Sequence, residues 1–414
     1  MHTIINISAL GTRRRGIQII FFILAISLLL GACRKEVNNE RVTSYYGKSW
    51  TEVFEAFWNG MNTNYVFWEI ETVDWDNMYK TYKPRFEDLD LHKNDPKSAQ
   101  LAVQYLVDMT KDLSDSHFEI SFNGLGNYVI ANYPVTSPVF QPSSIRHQLR
   151  GDRAPISART FEEIIPKYYL TKAELGKDQY SFRMNMGVIP RNNKNILYLH
   201  YTSFQLGIQY YYGNNSTAPV KPVLDNFFRY TKDPSIDGLI LDLRNNPGGA
   251  VSDLDFLVGR LITSDKHVSY TRTKNGSGRL DYTPWVKGYV HTQPGAVNFT
   301  KPIVVLVDQY SVSMAEMTTI AIKAIFPDAK VIGEKTWGGT GAIPQNDVRY
   351  MGGQFTAANF VHVYTAGIEL RDKNLVSYEN KGITPDITVA YDTAAIRNNI
   401  DVQLEKGIQH ISSK

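Results

Sequence analysis

Cysteine is almost absent from this chain of 414 residues, which contains only Cys33. A single cysteine cannot form an intramolecular disulfide, so no disulfide framework supports the fold. The chain also has little excess of either charge, because 44 basic residues stand against 41 acidic ones and the formal net charge is +3. This balance gives no compositional reason to expect a nucleic-acid partner, and we expect none.

Several well-known site motifs are missing as well. The histidines show no paired metal-ligand spacing and no HExxH sequence, so we expect neither a metal site nor a cofactor. The segment GEKT at 333–336 is not a phosphate loop, because its lysine does not follow a glycine and no glycine-rich turn precedes it. The GxSxG elbow of the α/β hydrolases is also absent.

A short apolar run lies near the N-terminus. It spans residues 19–30, interrupted only by Ala25 and Ser27, whereas a membrane span needs about 20 apolar residues. Three arginines at 13–15 precede the run, and LGAC at 30–33 closes it. This is the layout of a secretory signal, and the tetrapeptide resembles a bacterial lipobox. An uncleaved signal anchor is the alternative interpretation of the same pattern.

We therefore expect residues 1–32 to be a lipoprotein signal peptide and Cys33 to become the acylated mature N-terminus. Residues 33–48 would form a polar tether. The arginines at 13–15 account for the whole charge excess, so the mature chain would be near neutral. The expected location is the bacterial cell envelope, with the lipid in a membrane. We expect this to be the outer membrane, facing either the periplasm or the cell surface.

Residues 49–115 have the pattern of a small helical domain. Phe54, Phe57, Trp58 and Met61 recur at spacings of three and four, which puts them on one face of a helix. The DP dipeptide at 95–96 is a typical helix start, with a capping side chain followed by proline in the first turn. We predict an N-terminal helical cap domain over these residues.

The pattern is weakest between residues 116 and 195. This part is rich in proline, glycine and asparagine and has only short β-like stretches, such as residues 128–131. A divergent insertion and a small β-rich domain both fit it. It contains no recognisable carboxylate-binding loop of a PDZ domain, so selection of free C-termini is not predicted.

Apolar strands alternate with helices from residue 196 to the C-terminus. The strands are continuous apolar runs, the pattern of strands buried on both faces. They are predicted at 196–199, 238–243, 303–307 and 330–333, with helices at 223–230, 254–262 and 314–325. This alternation predicts an α/β fold with a mostly parallel sheet covered on both sides.

Two of these strands end in segments that can carry chemistry. The first leads into DLRNNPGG at 242–249, where glycine permits positive φ and lets backbone amides approach an anion. The second leads into SVSMAE at 311–316, which places serines at the start of a helix, beside unpaired amides. Such a serine suits a nucleophile whose attack creates an oxyanion, although helix capping is the commoner use.

Taken together, the ordered motifs closely resemble those of one superfamily. It contains the C-terminal-processing (tail-specific) peptidases, the tricorn core peptidases and the interphotoreceptor retinoid-binding modules. The resemblance extends to LSDSH at 113–117, GEKTWGG at 333–339 and ENKGITPD at 379–386. It covers the chain from about residue 117 to the C-terminus. It implies a ClpP/crotonase-like core of ββα units over residues 196–414, preceded by the helical cap.

The resemblance also implies roles for individual residues. Ser313 corresponds to the nucleophile of the family. The backbone amides of Met314 and of Gly248 or Gly249 would form the oxyanion hole. The motifs leave open which of the two glycines donates.

The general base departs from the pattern of the processing peptidases. Their lysine corresponds to Gly338 here, and Lys335 lies three residues earlier, a shift that turns a strand side chain to the other face. The adjacent Ser116 and His117 instead match the Ser-His pair of the tricorn-like branch. The resemblance implies that His117 is the base and that Ser116 and Glu379 orient and polarise it.

The carboxylate of this group has a second candidate. Glu369 lies in the same part of the chain as Glu379, and the sequence does not decide between them.

These roles predict a serine endopeptidase that cleaves peptides or unfolded proteins in the cell envelope. The alternative is a non-catalytic module that binds a ligand or peptide on the same fold, as in the retinoid-binding relatives. The presence of Ser313, His117 and the two glycines together favours the enzyme, because a binding module needs none of them.

The predicted lipid anchor can be tested through Cys33. Cys33→Ala removes the acylated side chain, so the variant should leave the membrane fraction or be mislocalised, whereas the wild type partitions with membranes. Cell fractionation of the full chain, combined with metabolic labelling by an alkyne fatty acid, measures both effects. Unchanged membrane partitioning of Cys33→Ala would count against the anchor.

Overall fold

The computed structural model describes residues 42–123, 139–149, 151–213, 218–344 and 351–414. The predicted signal peptide, Cys33, most of the tether and the β-like stretch at 128–131 lie outside these residues. Among the helices that are described, none is both long enough and apolar enough to cross a membrane.

The elements follow one another along the described residues in a mixed α and β order. The helices are α1 (Trp50–Asn64), α2 (Trp75–Leu91), α3 (Pro96–Thr110), α4 (Pro142–Leu149), α5 (Ile165–Tyr168), α6 (Leu206–Tyr212), α7 (Val220–Tyr230), α8 (Ser252–Val258), α9 (Met314–Ile325), α10 (Thr393–Arg397) and α11 (Val402–Ser412). The strands are β1 (Ser44–Tyr45), β2 (Glu119–Phe122), β3 (Val139–Phe140), β4 (Thr171–Lys177), β5 (Arg183–Arg191), β6 (Lys194–Tyr201), β7 (Gly238–Asp242), β8 (Lys266–Thr273), β9 (Val286–Val290), β10 (Ile303–Val307), β11 (Lys330–Gly333), β12 (Phe355–Ala357), β13 (Val361–Tyr364), β14 (Ile368–Asp372) and β15 (Ile387–Thr388). A π-helical turn, Thr160–Ile164, leads into α5.

The predicted sheet has the strand order β15-β11-β10-β7-β6-β5-β4. The strands from β15 to β6 are parallel, while β5 and β4 are added antiparallel at one edge. β7 and β10 are direct neighbours, with Leu306 opposite Asp242. Their carboxyl ends therefore lie side by side, which brings the segments 242–249 and 311–316 together.

Both faces of this main sheet are covered by apolar side chains. Leu241 and Val305 face a layer that includes α7, α8 and α9. Ile240 and Leu306 face the opposite layer, which includes α11. Burial on both faces explains why these strands are continuous apolar runs in the sequence. The predicted α/β fold class is confirmed.

The cap contains the predicted helices, but it also contains a sheet. Helix α3 begins at Pro96, and the Asp95 carboxylate accepts the N–H of Lys97 at 2.9 Å, as the DP dipeptide predicts. The helices α1 to α3 pack against a second sheet of order β1-β12-β13-β2-β3. β2 begins two residues after His117, so the cap sheet positions this histidine.

The strands described between residues 116 and 195 belong to two sheets. β2 and β3 belong to the cap sheet, whereas β4, β5 and the first residues of β6 belong to the main sheet. The domain boundaries predicted at 115/116 and 195/196 stay predictions.

A fully buried ion network fixes the end of β7. The Arg244 guanidinium donates to Asp242 at 2.8 and 2.6 Å and to Asp401, just before α11, at 3.0 and 2.9 Å. Tyr198 adds a hydroxyl hydrogen bond to Asp242 at 2.8 Å. Burial alone would lower the pKa of Arg244 by disfavouring the charged guanidinium. The charges of Asp242 and Asp401 have the larger effect, so the pKa is raised. The network thus ties the C-terminal helix to the strand that leads into the glycine turn.

Loss of this network should destabilise the fold. Arg244→Met would leave Asp242 and Asp401 buried without a counter-ion, so the free energy of unfolding should fall by about 3–5 kcal/mol. Urea denaturation followed by tryptophan fluorescence measures the change. Arg159→Met is the control, because Arg159 pairs with Glu163 on the exposed surface and should matter little. Equal effects of the two substitutions would contradict the prediction.

Candidate active site

Ser313 lies where the loop after β10 meets helix α9, at the N-cap position. Its backbone has φ 56° and ψ −113°, a strained conformation for a residue other than glycine. The Ser313 N–H donates to the Glu316 carboxylate at 3.2 Å. The side chain is partly exposed, so a substrate can reach its hydroxyl.

Ser311, the other serine of the SVSMAE segment, has a structural role. Its side chain is fully buried. The Ser311 hydroxyl donates to the Leu243 carbonyl at 2.8 Å and accepts the Asp308 N–H at 2.9 Å. Of the two serines, Ser313 is therefore the one available for chemistry.

Two backbone amides beside Ser313 are free. Within the described residues, the N–H groups of Gly249 and Met314 make no hydrogen bond. The Gly248 N–H is engaged, because it donates to the Asn246 side chain at 2.9 Å. Gly249 is also exposed, whereas Gly248 is buried. The geometry thus favours Gly249 and Met314 as the oxyanion donors, a choice that the motifs left open.

Gly248 has a packing role in the same turn. Its φ is 98°, and a Cβ there would lie 2.8 Å from both the Met314 nitrogen and the Ser313 Cβ. Only glycine lets the turn after β7 approach the start of α9 this closely.

His117 and Val312, the residue before Ser313, both lie beside Gly339. A Cβ on Gly339 would lie 3.2 Å from His117 Cε1 and 3.2 Å from Val312 Cγ1. Ser313 and His117 are not hydrogen-bonded to each other in this structure, and such contacts often tighten only when substrate binds. Burial lowers the pKa of His117, and the charge of Asp115 acts in the opposite direction. The imidazole is therefore neutral at neutral pH, as a general base must be.

Glu379 is the buried carboxylate behind this histidine. It accepts the Ser116 N–H at 2.8 Å and the N–H groups of Thr340 and Gly341, each at 2.7 Å. Burial raises the pKa of Glu379 to about 8, with a further contribution from Asp115, while the backbone donors act against this rise.

Glu369, the competing candidate, is engaged elsewhere. It lies on β14, where its carboxylate pairs with Arg272 at 2.7 Å and with Arg371 at 2.8 Å. The structure therefore brings Glu379, and not Glu369, to the histidine.

Asp115 is a site residue that the sequence analysis missed. Ligand-type atoms of Asp115, His117 and Glu379 lie within 4.8 Å of one another. The Asp115 carboxylate accepts the backbone N–H of His117 at 2.8 Å, the Thr365 hydroxyl at 2.6 Å and the backbone N–H of Ala366 at 2.8 Å. Because its oxygens already accept these donors, we assign Asp115 to positioning His117 rather than to a metal site. Its position inside LSDSH was the available signal.

Ser116, Gly338 and Lys335 also have defined places. The Ser116 hydroxyl donates to the Gly338 carbonyl at 2.7 Å, so it fixes the loop beside His117 and does not bond the ring. Gly338 has φ 94°, and a Cβ there would lie 2.8 Å from the Gly382 nitrogen, so no lysine fits. Lys335 is exposed. These positions agree with a histidine base.

Glu316 connects Ser313 to the loop next to His117. Like Asp115, it is a site residue whose role the sequence did not reveal. Besides the Ser313 N–H, it accepts the N–H groups of Gly338 and Gly339 at 2.8 and 2.7 Å and the Thr336 hydroxyl at 2.5 Å. Burial raises the pKa of Glu316 to about 7, against the effect of these hydrogen bonds.

Known proteins share this architecture and these segments. Residues 195–389 match the model of Peptidase family S41, and residues 46–91 match that of the Tricorn protease C1 domain. The Tricorn protease of Thermoplasma volcanium is 25% identical over 190 residues, which are 45% of this chain and 16% of the relative. That of Thermoplasma acidophilum is 26% identical over 186 residues, 45% of this chain and 15% of the relative. The chain thus covers less than a fifth of these curated relatives.

Solved structures show the same fold. A protein from Parabacteroides merdae has a TM-score of 0.62 at 22% identity, covering 88% of this chain and 97% of its own. Mature CPAF has a TM-score of 0.57 at 12% identity, covering 87% and 96%. The family matches confirm the resemblance to the tail-specific and tricorn-like peptidases. Within this chain, residues 195–389 are the region that matches peptidase family S41.

The buried Glu379 predicts a pH dependence. If the ionised carboxylate holds His117, kcat/KM should fall as the pH drops through about 8, the pKa of Glu379. Glu379→Gln cannot ionise, so its lower activity should lose this inflection. It should keep the inflection of His117, whose pKa is lowered by burial. Peptide hydrolysis from pH 5 to 10 measures both profiles. An inflection near pH 8 that persists in Glu379→Gln would contradict the assignment.

Proposed function

We propose that this protein is a serine endopeptidase that hydrolyses peptides or unfolded proteins, with Ser313 as nucleophile and His117 as general base. The observation that carries the proposal is the strained position of Ser313 beside the free amides of Gly249 and Met314. A helix cap alone needs neither the strain nor the free amides. The S41 family match supports the same chemistry.

The reaction follows from these positions. The Ser313 hydroxyl attacks the carbonyl carbon of the peptide bond while His117 takes the hydroxyl proton. The carbonyl oxygen becomes an oxyanion that accepts the N–H groups of Gly249 and Met314, two donors whose direction the turn and the helix already fix. His117 then gives the proton to the leaving amine, and a water molecule activated by the same histidine hydrolyses the acyl-enzyme.

Three carboxylates support this chemistry without touching the substrate. Asp115 and Glu379 hold the His117 loop through its backbone N–H groups. Asp115 supplies negative charge beside the imidazolium that forms during attack, and Glu379 adds to it where it is ionised, above its pKa of about 8. Glu316 holds the backbone of Ser313 and of the loop at 338–339. All three are buried, so their hydrogen bonds are shielded from competing water.

We also propose that the peptidase acts in the bacterial cell envelope, attached to a membrane through acylated Cys33. The basic residues at 13–15, the short apolar run and LGAC at 30–33 support this location. The substrates would then be peptides or unfolded proteins that occur in that compartment.

The nucleophile is tested by Ser313→Ala. The variant should lose hydrolysis of an unfolded protein such as casein but keep a melting temperature close to that of the wild type. His117→Ala should be equally inactive, and the double variant no worse than either, because nucleophile and base act as one unit. A fluorophosphonate probe should label the wild type at Ser313, as mapped by mass spectrometry.

Two controls accompany this experiment. Lys335→Ala should keep most of the activity, because Lys335 is exposed. Ser311→Ala should act mainly on stability, lowering it by about 1–3 kcal/mol, because buried partners lose their hydrogen bonds.

A less stable Ser313→Ala with normal turnover would refute the mechanism and favour a binding module. An inactive Lys335→Ala with an active His117→Ala would reverse the assignment of the base.

A further inference from the structure

A cleft of about 430 Å³ opens beside His117, and its surface is mainly apolar. The apolar part is formed by Pro155, Pro247, Tyr310, Val312 and Trp337. Pro247 comes directly before the glycine turn, and Val312 directly before Ser313. Ser313 itself does not line the cleft, but His117 does, and Val312 and Pro247 are the chain neighbours of Ser313 and of the glycine turn. The cleft therefore adjoins the proposed catalytic residues.

Trp337 is held in place by its surroundings. Its backbone N–H donates to the Ser311 carbonyl at 3.2 Å, and one face of its ring stacks on His147. The ring centroids of Trp337 and Tyr310 lie 6.1 Å apart with a tilt of 40°. The two aromatic rings thus form a fixed, partly exposed wall of the cleft.

A second wall of the cleft is formed by Pro155, in the irregular segment 152–156. The Tyr310 hydroxyl donates to the Arg153 carbonyl at 2.7 Å. The Ile156 N–H donates to the Asn245 side chain at 3.0 Å. These two attachments flank Pro155 and hold it at the cleft. Because both walls are already formed, a side chain can enter with little ordering cost.

The charges around the cleft disfavour an acidic ligand. Glu119 lies on its lining, next to Gln141, which donates to it at 2.6 Å. None of the described lining residues is a lysine or an arginine. The nearby Arg153 is neutralised by Asp308 and Glu334, at 2.8 and 2.6 Å. An aspartate or glutamate side chain would lose its water here without gaining a lysine or arginine partner.

We propose that this cleft is a specificity subsite that selects a large apolar side chain, aromatic or long aliphatic, next to the scissile bond, with Trp337 as its main determinant. The inference rests on the proposed peptidase function. Folded proteins bury such side chains in their interiors, and unfolded chains present them. The subsite would therefore direct the peptidase to unfolded chains without a separate recognition domain.

The subsite is tested first by digestion of a synthetic peptide mixture in which every residue type flanks many bonds, read by mass spectrometry. Wild-type cleavage sites should be enriched in Phe, Tyr, Leu and Met on one side of the bond and depleted in Asp and Glu. Two matched peptides that differ only by Phe or Ala at that position then give a selectivity ratio.

In Trp337→Ala, kcat/KM for the Phe peptide should fall by about 10- to 200-fold, while the Ala peptide changes much less. Trp337→Phe should keep an intermediate ratio. Tyr180→Ala is the matched control, because Tyr180 is an aromatic residue that is 76% exposed and does not line the cleft. Its ratio should equal that of the wild type. The ratio compares two substrates of one variant, so partial unfolding cannot imitate the effect.

The outcomes separate this inference from the function on which it rests. Failure of the wild type to cleave any peptide overturns the proposed peptidase and the subsite with it. Cleavage without an apolar preference, or with a preference for basic residues directed by Glu119, overturns the subsite alone. An unchanged ratio in Trp337→Ala also overturns it.

Discussion

The candidate active site depends on the hydrogen bonds of four consecutive backbone amides, at residues 338–341. The first two donate to Glu316, at the start of the helix that carries Ser313. The next two donate to Glu379, which also accepts the amide beside His117. Two buried carboxylates thus fix one short loop from opposite sides. Because an unpaired carboxylate would be costly to bury, the loop, Ser313 and His117 have to be in place together.

Much of the main sheet could be predicted from the sequence. The bounds of β10, α9 and β11 agree with the predictions to the residue, because strands buried on both faces are continuous apolar runs with sharp ends. The cap sheet could not be predicted in this way. Its strands β2 and β13 pair although more than two hundred residues separate them, and neither has a strong pattern of its own. Only the tertiary structure brings them together.

The residues of the candidate site also fall into two groups, those that the sequence indicated and those that only the structure revealed. Ser313 and His117 stand in motifs with recognisable neighbours, so the resemblance was enough to propose them. It left Glu379 and Glu369 both open as the carboxylate. Asp115 and Glu316 act by accepting amides from distant segments, and no local pattern marks such a carboxylate. The choice between the two glycines depended on the Asn246 side chain, which occupies the amide of Gly248. Long-range hydrogen bonds of this kind are invisible to reasoning from periodicity.

The two halves of the proposed catalytic pair come from different sheets. Ser313 follows a strand of the main sheet, and His117 precedes β2 of the cap sheet, whose partner β13 lies near residue 361. In a chain that is still being made, Ser313 therefore lacks the proposed base until residues beyond 361 have been added and folded. Proteolytic competence would arrive as the last step of assembly. Under the proposed function, a growing chain, itself an unfolded polypeptide, could therefore not be cleaved by its own active site.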